Sequence, residues 1–296
     1  MLYSVRAREN RYQPRADQEK YQQGSAMATQ YSETVGVNVR VGAFAEIADR
    51  WIYVFMAALF FVTVLTGFIP TSIQKLAAVE AGERMPLPGF MHFHALMMGT
   101  WITLLLAQTT LMATGKRGWH MKLGLVSVAL VPAILVSMVG VSGATFTQLA
   151  TIPAGAMPAE ALNGAKVGLS NIVLEQIRVV LVFPAFIMWA LLVRREDPET
   201  HKRLMILATL PPLSAAIDRI AWLPNTAPDS PVSIYITQLM WLAPVLIYDL
   251  WRRGRLHRAY VVGIGLNLPL ILFSYFSWGA DWWLAMAPQI FGIQDW

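Results

Sequence analysis

The sequence contains no cysteine. That excludes disulfides, thiolate metal sites, iron–sulfur clusters and thiol catalysis. It is also poor in charge: Asp, Glu, Lys and Arg make up 14% of its 296 residues, where soluble domains carry roughly a quarter. Neither a Walker A loop nor a Gly-x-Gly-x-x-Gly fingerprint occurs, so the sequence gives no sign of a phosphate-cradling or dinucleotide-binding site. The first 44 residues are polar, with Arg, Gln, Glu and Ser but no apolar run of the kind a signal peptide needs. They read as a flexible cytoplasmic tail, with Met27 as an alternative start.

What the chain has instead is apolar length. Hydrophobic residues reach 56%, and they gather in runs of about 20, each long enough to cross a hydrocarbon core about 30 Å thick. The expected fold is all-α: a polytopic transmembrane helix bundle over 45–278 with seven spans, near 49–70, 91–113, 121–142, 172–193, 203–223, 233–251 and 257–278, followed by a Trp-rich interfacial tail over 279–296. The net charge is +5, and basic residues cluster in three short connections, "GKRGWH", "RREDPETHKR" and "WRRGRLHR". Basic loops stay in the cytoplasm. The charge therefore reports topology rather than nucleic-acid binding, and it puts the N-terminus inside and the C-terminus outside a bacterial inner membrane. Pro132, Pro184, Pro211, Pro212, Pro244 and Pro269 fall inside spans, where each frees a carbonyl and can kink its helix.

This topology sorts the polar residues into two layers. The outer layer takes His92 and His94 from the start of span two, Glu175 and Arg178 from span four, Asp218 and Arg219 from the end of span five, and Gln238 from span six. Ionisable groups within spans face the bundle interior and mark function. His92, His94, Glu175 and Asp218 form a candidate metal shell of imidazole and carboxylate, suited to zinc or non-haem iron, with Arg178, Arg219 and Gln238 as charge-balancing or relay groups. Residues i and i+2 of a helix point about 200° apart, so the two histidines share one ion only if His92 is still extended after Pro86 and Pro88. The cytoplasmic layer takes His120, His201 and His257, each at a helix start beside Lys or Arg. These are either helix caps and headgroup contacts, or ligands and propionate partners of a haem.

The segment His92, His94, Ala95, Trp101, Gln108, His120, Lys122, Leu123, Gly124 resembles a pattern among uncharacterised bacterial membrane proteins: His-x-His-Ala opening a span, Trp and Gln along it, then a basic loop ending in His and Leu-Gly. The "HKRLM" at 201–205 is similar to helix starts in membrane proteins related to haem A synthase and oxidase assembly. The resemblance covers spans two to five and implies a redox role with histidines meeting haem. The chain departs from a two-haem cytochrome in lacking paired histidines on opposing helices.

Three readings follow. The first is a membrane protein with a haem or transition-metal centre (iron or zinc) near the outer face, acting in electron transfer or within a membrane oxidoreductase complex. The second is an intramembrane zinc-dependent lipid hydrolase. The third is a metal-free carrier or an accessory subunit of a larger membrane complex. The expected partners are the lipid bilayer and other membrane subunits.

Overall fold

Apolar runs of this length have one economical way to satisfy their backbone, which is to close every hydrogen bond within a helix. The computed structural model describes residues 38–294 and 296. Among them it holds nine α-helices and no strand: α1 (Asn38–Glu80), α2 (Gly89–Ala113), α3 (Arg117–Gly124), α4 (Val126–Ala150), α5 (Ala159–Val193), α6 (Pro198–Ile217), α7 (Val232–Arg253), α8 (Arg258–Ser277) and α9 (Asp281–Met286), with a 3-10 turn at Pro288–Phe291. Helix α1 thus begins inside the segment expected as tail, while residues 1–37 lie outside the described residues. Contacts divide the chain into 1–49 and 50–296; the bundle described below is the second unit.

Among the described residues six helices are long and apolar enough to cross a membrane: Gly42–Glu80, Gly89–Ala113, Arg117–Ala150 (α3 and α4 together), Ala159–Val193, Val232–Arg253 and Arg258–Ser277. Their outward faces suit lipid, with side chains such as Leu192, Val128 and Phe276 exposed. The remaining helix expected as a span, α6, is different in kind. It carries Glu199, Lys202 and Arg203 in its first two turns, and it ends at Ile217 rather than at 223. It can be less apolar because protein surrounds it: thirteen of its twenty residues are buried, and α5, α7 and α8 all pack on it.

The prolines do not break their helices; α4 runs through Pro132, α5 through Pro184, α6 through Pro211 and Pro212, α7 through Pro244 and α8 through Pro269. The Ser214 hydroxyl donates to the Pro211 carbonyl at 2.8 Å. Three helices meet at one level in the middle of the bundle. The Trp101 indole of α2 donates to Thr209 Oγ1 of α6 at 3.2 Å and stands edge-on to Phe183 of α5 at 4.8 Å.

The C-terminal segment folds back on the outer ends of α4 and α5. The Trp283 indole donates to the Ser170 carbonyl at 2.9 Å, and Phe291 stacks on Phe146 at 4.9 Å. Trp283 therefore serves as core for this end of the bundle, with Trp278 and Trp296 packed against it, while Trp282 is exposed.

Close approach of α1 to α6 depends on Gly67, where an added Cβ would lie 2.1 Å from the backbone oxygen of Ala216. Backbone cannot swing aside as a side chain can, so Gly67→Ala should cost about 1–3 kcal/mol. Gly99→Ala, with nothing within 4 Å of the new Cβ, should be neutral or gain up to about 1 kcal/mol from helix propensity. Thermal unfolding of both variants in detergent checks this; equal midpoints would show that the approach is not tight.

Candidate functional site

The outer layer is built on α5. Glu175 and Arg178 are three residues apart, hence on one face, and both are buried. Arg178 donates twice to Glu175 Oε2, from Nε at 2.9 Å and Nη2 at 2.6 Å. The Tyr235 hydroxyl of α7 donates to Glu175 Oε1 at 2.7 Å, and the guanidinium lies over the Tyr235 ring at 5.5 Å. Arg178 also reaches Gln238 Oε1 of α7 at 3.4 Å and Asn267 Oδ1 of α8 at 3.5 Å, both near the limit of a useful hydrogen bond. Asp218, the C-terminal cap of α6, lies within electrostatic reach of Arg219 and Glu175. Arg219 donates to the Ala215 carbonyl and covers the Phe68 ring at 4.7 Å.

The two outer histidines do not join this layer as one metal shell. Helix α2 starts at Gly89, so His92 is already helical and the extended geometry needed for sharing an ion is absent. His92 is exposed. His94 turns to α4, its Nδ1 2.9 Å from Ser137 Oγ. The Ser137 hydrogen is committed to the Ile134 carbonyl at 2.7 Å, so the imidazole is the donor. Among the described residues no group of three or more His, Asp or Glu comes together that could hold a metal ion. Both Glu175 oxygens are taken by protein donors.

The cytoplasmic layer separates its three histidines by role. His257 is the N-cap of α8, its Nδ1 accepting from Ala259 N at 3.2 Å. His120 and His201 are held differently. His120 Nδ1 is 3.3 Å from the Gln108 carbonyl, and His201 Nδ1 is 2.9 Å from the Ala190 carbonyl. A carbonyl only accepts, so each ring carries its proton on Nδ1 and leaves Nε2 as a bare acceptor. The two carbonyls stand at one depth. From the Trp101–Phe183–Thr209 level, Gln108 lies seven residues along α2, Ala190 seven along α5, and His201 eight back along α6, each about 10–12 Å toward the same end of the bundle. The rings are near enough for the charge of one to act on the other, with Arg117 within electrostatic reach of His120 and Arg194 of His201. The Gln108 side-chain oxygen is buried without a partner, and its amide nitrogen would be 3.2 Å from a Cβ added at Gly124.

Sequence reasoning missed a third cluster, next to this one. Arg203 of α6 pairs with Asp249 of α7; both are fully buried, and two hydrogen bonds join them, one of 3.0 Å from Nε. Asp249 Oδ2 also accepts from the backbone of His257 at 3.1 Å. Arg203 makes a second contact to Glu199 at 2.6 Å and lies over the Tyr260 ring at 5.8 Å. An acid inside the expected span 233–251 was the available signal. At the rim, Asp197 caps α6 by accepting from the side chain and backbone of Thr200 at 2.6 and 2.9 Å, and it pairs with Arg258 at 2.8 Å. Those Thr200 donors, with Arg258, hold its carboxyl well below the usual carboxylate range.

Compared with protein-family models, curated proteins and solved structures, the chain matches none.

Two outcomes follow. Arg203→Met alone leaves the buried Asp249 with only the 3.9 Å contact to Arg253 and the His257 backbone bond and should destabilise the protein by about 3 kcal/mol, while Arg203→Met with Asp249→Leu recovers most of that loss; denaturation of both in detergent decides, and an equally damaged double variant would contradict it. The Asp197 contribution has the opposite pH sense to a histidine's. A depressed folded-state pKa stabilises above the unfolded value of about 4 and is lost as pH falls through it toward the folded value. The stability gap between wild type and Asp197→Asn should be widest near neutrality and narrow below about pH 4.

Proposed function

We propose that the chain crosses a bacterial inner membrane seven times, with its N-terminus inside and C-terminus outside, and that it works in electron transfer through a haem held at its cytoplasmic end. The observation that supports this reading is the matched pair His120 and His201: two imidazoles fixed by carbonyls at one depth, each offering Nε2. Second-shell carbonyl bonds of this kind orient metal-binding histidines and raise their basicity.

The residues fit a porphyrin iron better than a zinc ion. Catalytic zinc takes three protein ligands, and the described residues bring no such trio together. A haem supplies four nitrogens itself and asks the protein for two axial ligands at most. Arg117 and Arg194 beside the rings suit the carboxylates that a haem carries. When bound, the group would supply one-electron chemistry. The chain's own residues would hold the iron through His120 and His201, fix both tautomers through Gln108 and Ala190, and balance the negative groups with guanidinium. This places the centre at the opposite end from the His92 and His94 set, and it makes α2, α5 and α6 its scaffold. The buried outer pair of Glu175 and Arg178 then acts in charge balance and helix attachment. Within a larger oxidoreductase complex, the exposed faces would meet lipid and other membrane subunits.

The test is a visible spectrum and elemental analysis on protein made in haem-replete cells and purified in detergent. We expect a Soret band, iron near one per chain, and loss of both in His120→Ala and His201→Ala, with His94→Ala retaining them. Folded wild-type protein with no iron, or a spectrum indifferent to both substitutions, overturns the proposal.

A further inference from the structure

His94 has no part in the proposed haem centre, yet its ring is held as a ligand's would be. Its Nδ1 hydrogen goes to Ser137 Oγ at 2.9 Å, and the Ser137 hydroxyl is fixed in turn on the Ile134 carbonyl at 2.7 Å. The neighbouring contact holds the same seam, because the Phe90 ring packs so closely on Gly140 that an added Cβ there would lie 2.3 Å from it. The lone pair of Nε2 is left without a donor. That nitrogen is not among the buried atoms that lack partners, and the residue is half-buried, so Nε2 is reachable from outside the bundle.

Two thioethers flank it. Met91 lies three residues before His94 and Met98 four after, all within α2. Neighbours at these spacings share one helix face, with Cβ atoms about 5–6 Å apart. Helical side chains lean toward the N-terminus. The His94 ring is thus carried toward Met91, and the long Met98 side chain back toward His94. Both methionines are half-buried, whereas Met56 and Met138 are core residues at 0% and 8% exposed. Met98 also rests partly on the core, which steadies it.

The donor set decides the ion. One imidazole and two thioethers are neutral and mostly soft. No carboxylate joins them: both Glu175 oxygens are held by Arg178 and Tyr235. Hard dications ask for oxygen ligands, and zinc for imidazole, thiolate or carboxylate. Thioether sulfur selects Cu(I), whose single charge is also the least costly to hold in an apolar setting. We propose that Met91, His94 Nε2 and Met98 form a Cu(I) site on one face of α2, with Ser137 as the positioning residue that fixes the ring. The inference does not depend on the haem, whose histidines lie on α3 and α6 toward the other end of the bundle.

The experiment titrates Cu(I), without oxygen, into the full chain in detergent against bathocuproine disulfonate, whose copper complex is coloured. The wild type should retain one Cu(I) per chain. Met91→Leu and Met98→Leu keep volume and apolarity, so they should fold normally, with thermal midpoints close to wild type. Each should weaken retention about ten-fold or more, and His94→Ala should abolish it. Ser137→Ala removes no ligand but frees the ring, and should weaken retention about ten-fold. Excess Zn(II) should displace no copper, and His120→Ala should bind as the wild type does, which separates this site from the proposed haem. No retention by folded wild-type protein, retention unchanged in both methionine variants, or displacement by zinc overturns the inference.

Discussion

The end of the bundle where α6 begins and α7 ends hangs on one buried ion pair, Arg203 with Asp249. Helix α6 enters the protein with charge in its first two turns, and α7 leaves with an acid one turn before its end. Neither charge could be buried alone, since the desolvation cost of each exceeds what packing returns. Together they lock α6 against α7. The same aspartate accepts the backbone of His257, which fixes where α8 begins. One carboxylate therefore sets the relative height of three helices, and those heights place His201.

That placement explains why the two histidine sets differ. His92 and His94 sit on one helix, and the helix itself separates them. His120 and His201 come from different helices but are anchored to carbonyls at a shared depth, because α2, α5 and α6 are registered by Trp101, Phe183 and Thr209. A ligand pair made across helices is a property of the packing. A pair made along one helix is a property of the residue spacing, and here the spacing forbids it.

The helices were largely legible from hydropathy, and the Glu175–Arg178 pair from its i, i+3 spacing. Gln108, His120 and Gly124, far apart in pattern terms, meet in the structure. Other features were hidden for identifiable reasons. The fate of His92 turned on whether α2 began before or after it, and the Pro-Leu-Pro-Gly break ended three residues too early for an extended chain. Arg203 looked like a loop cation in a basic run, and its partner is 46 residues away, beyond any local pattern. His257 looked like its two counterparts, yet the bond from Ala259 makes its Nδ1 an acceptor, which only the backbone geometry reveals. The tail's tryptophans read as interfacial, since an indole suits a membrane surface as well as a small core.

The two layers differ in charge as well as position. Along α5, Arg178 and Ala190 are twelve residues apart, about 18 Å, so the two layers are well separated along the bundle. In the outer layer each cation has an acid nearby, Arg178 with Glu175 and Arg219 with Asp218, and what is left over is hydrogen-bond donors without charge. Around His120 and His201 the neighbours are Arg117 and Arg194, and what is left over is positive charge and bare ring nitrogens. The bundle thus offers two chemically distinct environments at two depths, set by which side chains its helices had to neutralise in order to pack.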